Sequence, residues 1–408
     1  MTKMSLIDYG HSRSRGPGRR HSTVGPILAT MACISLAFAN TFIIARAGMV
    51  VIFALILVLP FFNKHSNWKN HLVNIPGISF IYYVLISLTF YPPTVASIYN
   101  GLVAALAIGV LIMLSTHAPS MDSLNLFIRL MSKAGKLILL LGLAWEILSF
   151  PIRWDTKTGF LFVFLFFVLL EKKSTWIGKV FYLCIWVVQA YLADDRTYLI
   201  AILVFLLSYF IWPFLARHQG LGKVVIATFL ALLMLVPIIY VQLSVSRLRG
   251  RLDMFALQYT GGRFFSGRDI IWYHLLEDFW EGNTLIGGGH NLALTTLLGN
   301  TLSSHNTFIA VLTRMGFIGL ILFLAIFFGL LTKYLKHSEH LIVRFSAAVT
   351  IAILFKQSSE FSLIGNNIAH SLVSWLVISF GLIYLNALNR EIENRQTVTE
   401  FPLQIKGQ

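Results

Sequence analysis

Long apolar runs broken by short polar joints recur along the whole chain; "MVVIFALILVLPFF" and "TGFLFVFLFFVLL" are two of them. A helix needs about 20 mostly apolar residues to cross a bilayer. A membrane β-barrel would instead show alternating segments of about ten residues. The pattern predicts an all-α integral membrane protein of about twelve spans. They run roughly over 25–44, 47–62, 72–91, 96–114, 136–150, 159–170, 177–193, 196–215, 223–242, 306–332, 341–357 and 367–387. The fifth and sixth are short for a crossing. The first follows a polar tail and is too long for a cleaved signal peptide. The expected organisation is a cytoplasmic tail over 1–24, spans one to nine within 25–242, a large external loop over 243–304, spans ten to twelve within 305–387, and a second cytoplasmic tail over 388–408.

Composition agrees with this class. Hydrophobic residues make up 57% and charged ones 12%, against about 25% charged in soluble domains. The formal charge of +15 is mostly a record of topology. Arg13, Arg15, Arg19 and Arg20 lie in the first tail. Lys64 and Lys69 follow span two, Arg129, Lys133 and Lys136 span four, and Lys172, Lys173 and Lys179 span six. Arg217 and Lys223 follow span eight, and Lys333, Lys336 and Arg344 span ten. Every second loop is basic, so the positive-inside rule places both termini in the cytoplasm. Basic residues scattered at the membrane surface give no reason to expect nucleic acid as a partner. Cys33 and Cys184 fall within spans and have neither disulfide nor zinc-site spacing.

One region breaks the rhythm. Roughly sixty residues separate spans nine and ten on the external side, and loops beyond about 15 residues usually carry function. This loop holds Arg247, Arg249, Arg251, Arg263 and Arg268, and no lysine occurs between Lys223 and Lys333. A guanidinium fork grips phosphate oxygens bidentately, whereas an ammonium acts as a point charge. The plain alternative is pairing with the loop's own Asp253, Asp269, Glu277, Asp278 and Glu281.

Within the loop, "SGRDIIWYHLLEDFWEG" reads as an amphipathic helix. Ser266 and Asp269 stand at capping-box spacing, Ile271, Leu275, Leu276 and Phe279 form the apolar stripe, and Gly282 is the stop. Such a helix lies on the outer membrane face or lids a cavity beneath it, with Arg268 in its anion-favouring first turn. "GGGHN" follows, as a flexible elbow or a simple linker.

The order of these features carries a resemblance. "DDRTYLI" opens a span with Arg196, the long loop follows with "SGRDIIW", then a Gly-rich segment, and then "SHNTFIAVLTRMGFIG" opens the next span. Residues 190–330 resemble the O-antigen ligase and polymerase superfamily of bacterial envelope glycan assembly; the first half is similar only in hydropathy and span count. The resemblance implies a metal-independent GT-C-type glycosyltransferase of the bacterial inner membrane, working on the periplasmic side without a cofactor. Its donor would be an undecaprenyl-pyrophosphate-linked glycan. Its acceptor would be another lipid-linked repeat unit or the lipid A–core. Partners would be the bilayer and a chain-length regulator. Arg196 and Arg268 match the family's pyrophosphate-binding arginines, with Arg263 an alternative to Arg268, and His305 matches the histidine that activates the acceptor hydroxyl. Asn306 of the His-Asn pair is a substrate-binding candidate.

The chemistry is coherent apart from the resemblance. A leaving pyrophosphate needs its charge neutralised by a metal or by cationic side chains. The chain has neither a DxD pair nor a GxxxxGK[ST] loop, so arginines are the available cations. An attacking hydroxyl needs a base that titrates near the working pH, and His is the usual choice. A lone histidine at a helix boundary is otherwise an ordinary interfacial residue.

Asp194 and Asp195 orient Arg196 or help receive the acceptor, or are solvated loop residues. Glu360, in an outer loop, contacts sugar or nothing. Glu146 and Arg314 lie within spans, where charge is a functional candidate. Arg314 falls on the helix face opposite His305 and reads as a structural ion-pair member. Arg251 and Gly262 have the R-x10-G spacing of polymerases, a weak signal among 29 glycines in 408 residues. Polymerase is the preferred expectation, ligase the alternative. A lipid-linked oligosaccharide flippase is the second alternative; it would place charges and broken helices at the membrane midplane.

Overall fold

The computed structural model describes Pro26, Thr30 and residues 71–400, apart from positions 93, 149–157, 193–195, 261, 266, 291–293, 296–300, 303 and 366–367. The second expected span, the first apart from Pro26 and Thr30, the N-terminal tail, Cys33, Asp194 and Asp195 lie outside the described residues, as does the side chain of Arg196.

Helices follow the apolar runs: α1 (His71–Ser87), α2 (Val95–Thr116), α3 (Met121–Leu148), α4 (Thr158–Leu170), α5 (Trp176–Leu192), α6 (Arg196–Arg217) and α7 (Gln219–Ser244). The large loop contributes α8 (Arg249–Thr260), α9 (Arg268–Glu281) and two paired two-residue strands, β1 (Leu294–Thr295) and β2 (Thr301–Leu302). Then come α10 (Thr307–Lys336), α11 (Leu341–Gln357) and α12 (Ile368–Glu400). Among the described residues, α2, α7, α10 and most of α6 and α12 are long and apolar enough to cross a membrane. α1 and α5 are apolar but shorter. Apolar side chains also cover outward faces: Phe210 is 71% exposed and Leu203 64% on α6, Ile321 63% on α10. Exposed apolar surface on this scale suits lipid rather than water.

Two boundaries differ from expectation. Residues 129–136 continue as helix in α3 instead of forming a basic joint, because Leu124, Phe127, Ile128 and Met131 keep the helical spacing of buried positions. Lys136 from this stretch pairs with Glu171 at 2.6 Å, and Ser132 donates to the same carboxylate at 2.7 Å. At the other end of the chain, α12 runs past its apolar part into "NREIENRQ", where Arg395 pairs with Glu391 one turn away.

α10 is central: it packs against α1, α7, α9 and α11, while α11 lies along α6 and α12. It is not one rod. Gly316 has φ 66 and ψ −169 and splits it into two helical pieces. A break inside lipid is tolerated only where the protein satisfies the freed backbone groups, and residues 284–289 do so. The Gly288 and Gly289 N–H groups donate to the carbonyls of Thr313 (2.7 Å) and Arg314 (3.0 Å). The Phe317 and Ile318 N–H groups donate to the carbonyls of Thr284 (3.0 Å) and Leu285 (3.2 Å). The Tyr83 hydroxyl from α1 takes the Met315 carbonyl at 2.7 Å.

The glycine-rich elbow, residues 284–290, is therefore a plug, locked at its far end by His290. Its imidazole lies 2.8 Å from the Ser87 hydroxyl, and its carbonyl accepts from Asn100 at 3.0 Å. Burial, reinforced by the Arg314 charge, pushes the His290 imidazole down from 6.5 to about 4. The unfolded chain protonates first, so stability should fall as pH drops from about 6.5 towards 4. Unfolding temperatures of the purified protein across that window check this. His290→Asn should flatten the decline.

Candidate functional site

The turn Ser304–Asn306 joins the loop to α10, and its first and last residues are held by different elements. Trp272 of α9 donates its indole N–H to the Ser304 carbonyl. Asn306 is the N-cap of α10: its Oδ1 accepts the Ile309 N–H at 2.9 Å, and its Nδ2 donates to the Ser358 carbonyl at 2.7 Å. The cap leaves the helix carrying the positive end of its dipole. Asn306 is fully buried with both ends of its amide engaged, so the expected substrate contact gives way to a capping role.

Between these anchors stands His305, exposed and with φ 45. No other described non-glycine residue has a positive φ. A non-glycine residue at positive φ is uncommon, though His is among the types enriched there, and such conformations persist where the surroundings over-determine them. Here Trp272 and Ser358 fix the residues on either side. Desolvation and then the Arg268 guanidinium lower the His305 pKa from 6.5, against a smaller opposing pull from Glu360. Its imidazole is consequently neutral and proton-accepting at neutral pH.

Arg268 is the first residue of α9 and only partly exposed. The α9 start differs from the expected capping box. Its N-cap is Gly267, with φ 84, and Asp269 Oδ1 accepts the Gly267 N–H at 3.0 Å; Ser266 lies outside the described residues. Trp272 joins Leu275, Leu276 and Phe279 as the buried stripe, and α9 packs across α7 and α10.

The loop arginines divide. Arg249 is used internally, 3.2 Å from Asp269 Oδ2 and 3.3 Å from the Ser244 carbonyl, with Phe265 beneath its guanidinium. Arg251 and Arg263 are exposed. Among the described residues, no carboxylate pairs with Arg251, Arg263 or Arg268. Of the three, Arg268 is the one whose charge reaches His305.

Arg196 opens α6 at the same end of the molecule. Two residues on, the Tyr198 ring lies 3.1 Å from Lys356 Nζ of α11, and Lys356 pairs with Glu360 at 2.7 Å. The Glu360 carbonyl accepts the Thr307 N–H at 3.1 Å. The start of α6, the end of α11 and the head of α10 thus meet beside His305. Arg314, expected in an ion pair, sets its guanidinium 5.0 Å from the centre of the Phe361 ring. Sequence reading passed over Lys356, Gln357 and Trp272. A lysine in the last turn of an apolar helix was the available signal for the first. The roles of the other two arise only from packing.

No protein-family model and no curated protein sequence matches the chain.

Proposed function

We propose that the protein is a membrane glycosyltransferase that polymerises undecaprenyl-pyrophosphate-linked repeat units of O-antigen or a related surface polysaccharide at the periplasmic face. One observation supports it above the rest: an accessible histidine with a lowered pKa heads an apolar helix beside an arginine that no described carboxylate neutralises. In this reading the acceptor hydroxyl oxygen attacks the anomeric carbon of the donor sugar and gives its proton to His305. The bond from that carbon to the pyrophosphate oxygen breaks, and undecaprenyl pyrophosphate leaves with the electron pair. Arg268 and Arg196 receive the growing charge as bidentate partners. Arg263 is the alternative to Arg268 as a phosphate partner, and Arg251, on α8, is a further substrate-binding candidate.

The helix break at Gly316 is the feature a flippase reading would claim. Discontinuous membrane helices bind ions through their freed backbone groups. The groups named above at this break are taken by residues 284–289 and Tyr83, which favours an enzyme. Basic residues also favour the assigned sidedness: Arg217, Lys223, Lys333 and Lys336 sit at the helix ends opposite His305.

Gene deletion followed by gel analysis of the surface glycan tests the assignment. A core capped by a single repeat supports a polymerase. Bare core with accumulating lipid-linked polymer would make the protein a ligase, and unchanged glycan would remove both. Because arginines serve where a metal otherwise would, transfer by the reconstituted protein should persist in EDTA. Loss on chelation, reversed by Mg²⁺ or Mn²⁺, would move that role to a metal.

A further inference from the structure

Lys356 is costly where it stands. Its side chain is 8% exposed in the last turn of α11, between Glu360 Oε2 and the Tyr198 ring. Desolvation offsets most of the attraction in such a pair, so fold stability alone explains it poorly. The position of Glu360 explains it better. Its carbonyl accepts both the N–H and the hydroxyl of Thr307, each at 3.1 Å. Gln357 Oε1 accepts the Thr307 hydroxyl at 2.6 Å and also the N–H groups of Ser362 (3.0 Å) and Leu363 (3.1 Å). Together with the bond from Asn306 to the Ser358 carbonyl, these contacts stitch the 358–360 turn to the first turn of α10. The backbone of Glu360 is tied two residues from His305, and its carboxylate is tied to Lys356.

We propose that Glu360 is a positioning carboxylate for His305, and that Lys356 fixes where that carboxylate stands and how much of its charge the imidazole feels. The proposal rests on the reading of His305 as the base. When the acceptor proton moves to the imidazole, a cation forms there. Arg268 on α9 opposes that charge, and a fixed carboxylate on the α11 side offsets the opposition. Asp269, next to Arg268, is tied to Arg249. α10 itself carries no ionisable residue between His305 and Arg314. The electrostatic effects agree in sign, since Arg268 lowers the His305 pKa and Glu360 raises it.

The test uses the full-length protein in lipid nanodiscs, with Glu360→Gln, Lys356→Met and the double variant. One readout is the His305 titration, followed by NMR of 13C-labelled histidine and assigned with His305→Gln. The other is the pH profile of kcat/KM with lipid-linked repeat unit as substrate. Glu360→Gln should move the titration and the acid limb to lower pH and reduce kcat about tenfold, less than the factor of about 10² to 10⁴ expected on losing the base itself. Lys356→Met should move both to higher pH, because the carboxylate is no longer shared. The double variant leaves no buried charge alone, so it controls for folding. A merely structural pair predicts its recovery to wild-type turnover; a positioning role predicts that the loss persists. An unmoved His305 titration in Glu360→Gln, or full recovery in the double variant, overturns the proposal. Should His305→Ala keep wild-type transfer, the base assignment fails. The titration then decides the coupling alone: a shift upholds it and no shift overturns it.

Discussion

Replacing His305 with alanine should lower glycan transfer by a factor of about 10² to 10⁴, the usual contribution of a positioned general base, while insertion and donor binding stay near normal. The neighbouring anchors explain why folding should survive. Trp272 holds the Ser304 carbonyl, and Asn306 caps α10 through its own side chain. The φ of 45 at His305 costs backbone energy whether His or Ala stands there, so the exchange adds little strain. Arg268→Lys keeps the charge but loses the planar fork and should still impair transfer, as should Arg196→Lys. Arg395→Lys, far along α12 and paired with Glu391, is the matched control and should leave turnover unchanged. The assay is initial rate in proteoliposomes at equal protein in the membrane. Wild-type rates in His305→Ala would show that another group takes the proton.

Gly316→Ala should be the most disruptive single substitution to the fold. A Cβ there would lie 2.1 Å from the Leu285 carbonyl oxygen and 2.6 Å from the Ile286 N, with φ at 66. Both obstacles are backbone, so the 284–289 plug must withdraw. Its withdrawal strands the break's backbone groups, at about 1–3 kcal/mol for each one left unsatisfied. Four of the bonds at risk join the plug to α10, and their combined loss approaches the whole stability of a typical domain, about 5–15 kcal/mol. Gly287→Ala should behave alike, since its Cβ meets Arg314 carbonyl carbon and Gly316 N at 2.5 Å with φ 77. Gly220→Ala, where a Cβ meets nothing within 4 Å, should be neutral or mildly stabilising. Unfolding temperatures in detergent decide between them. A Gly316→Ala protein as stable as the parent would mean that the plug does not hold the break.

The helices were legible where apolar runs end abruptly at polar residues. α11 occupies Leu341–Gln357, as the hydropathy indicates, and α2 extends the expected 96–114 by only a few residues. Legibility failed where a helix continues through charge. Arg129, Lys133 and Lys136 look like a joint in hydropathy, yet the periodicity of Leu124, Phe127 and Met131 carries α3 through them. The break at Gly316 was not readable, because glycine is common in membrane helices and its partners lie some thirty residues earlier. The same distance hid the plug: "GGGHN" has the composition of a linker, and only its contacts with Thr313, Arg314 and Ser87 make it structural. At the site, residue types pointed to His305 and Arg268 through chemistry. Asn306 was misassigned because a buried cap and a substrate ligand use the same amide. Lys356 and Glu360 stand at i,i+4 spacing, a readable pairing signal, but their place beside His305 depends on how α6, α10 and α11 meet.

Transfer by the purified protein in proteoliposomes tests the central claim most directly. The vesicles would hold undecaprenyl-pyrophosphate-linked repeat units with radiolabelled sugar, and no other enzyme. The account predicts lipid-linked products of two or more repeats, with one undecaprenyl pyrophosphate released for each bond formed and none from the His305→Ala protein. Repeat units that cross the bilayer unchanged, with no new glycosidic bond and no carrier released, would contradict it and make the protein a transporter.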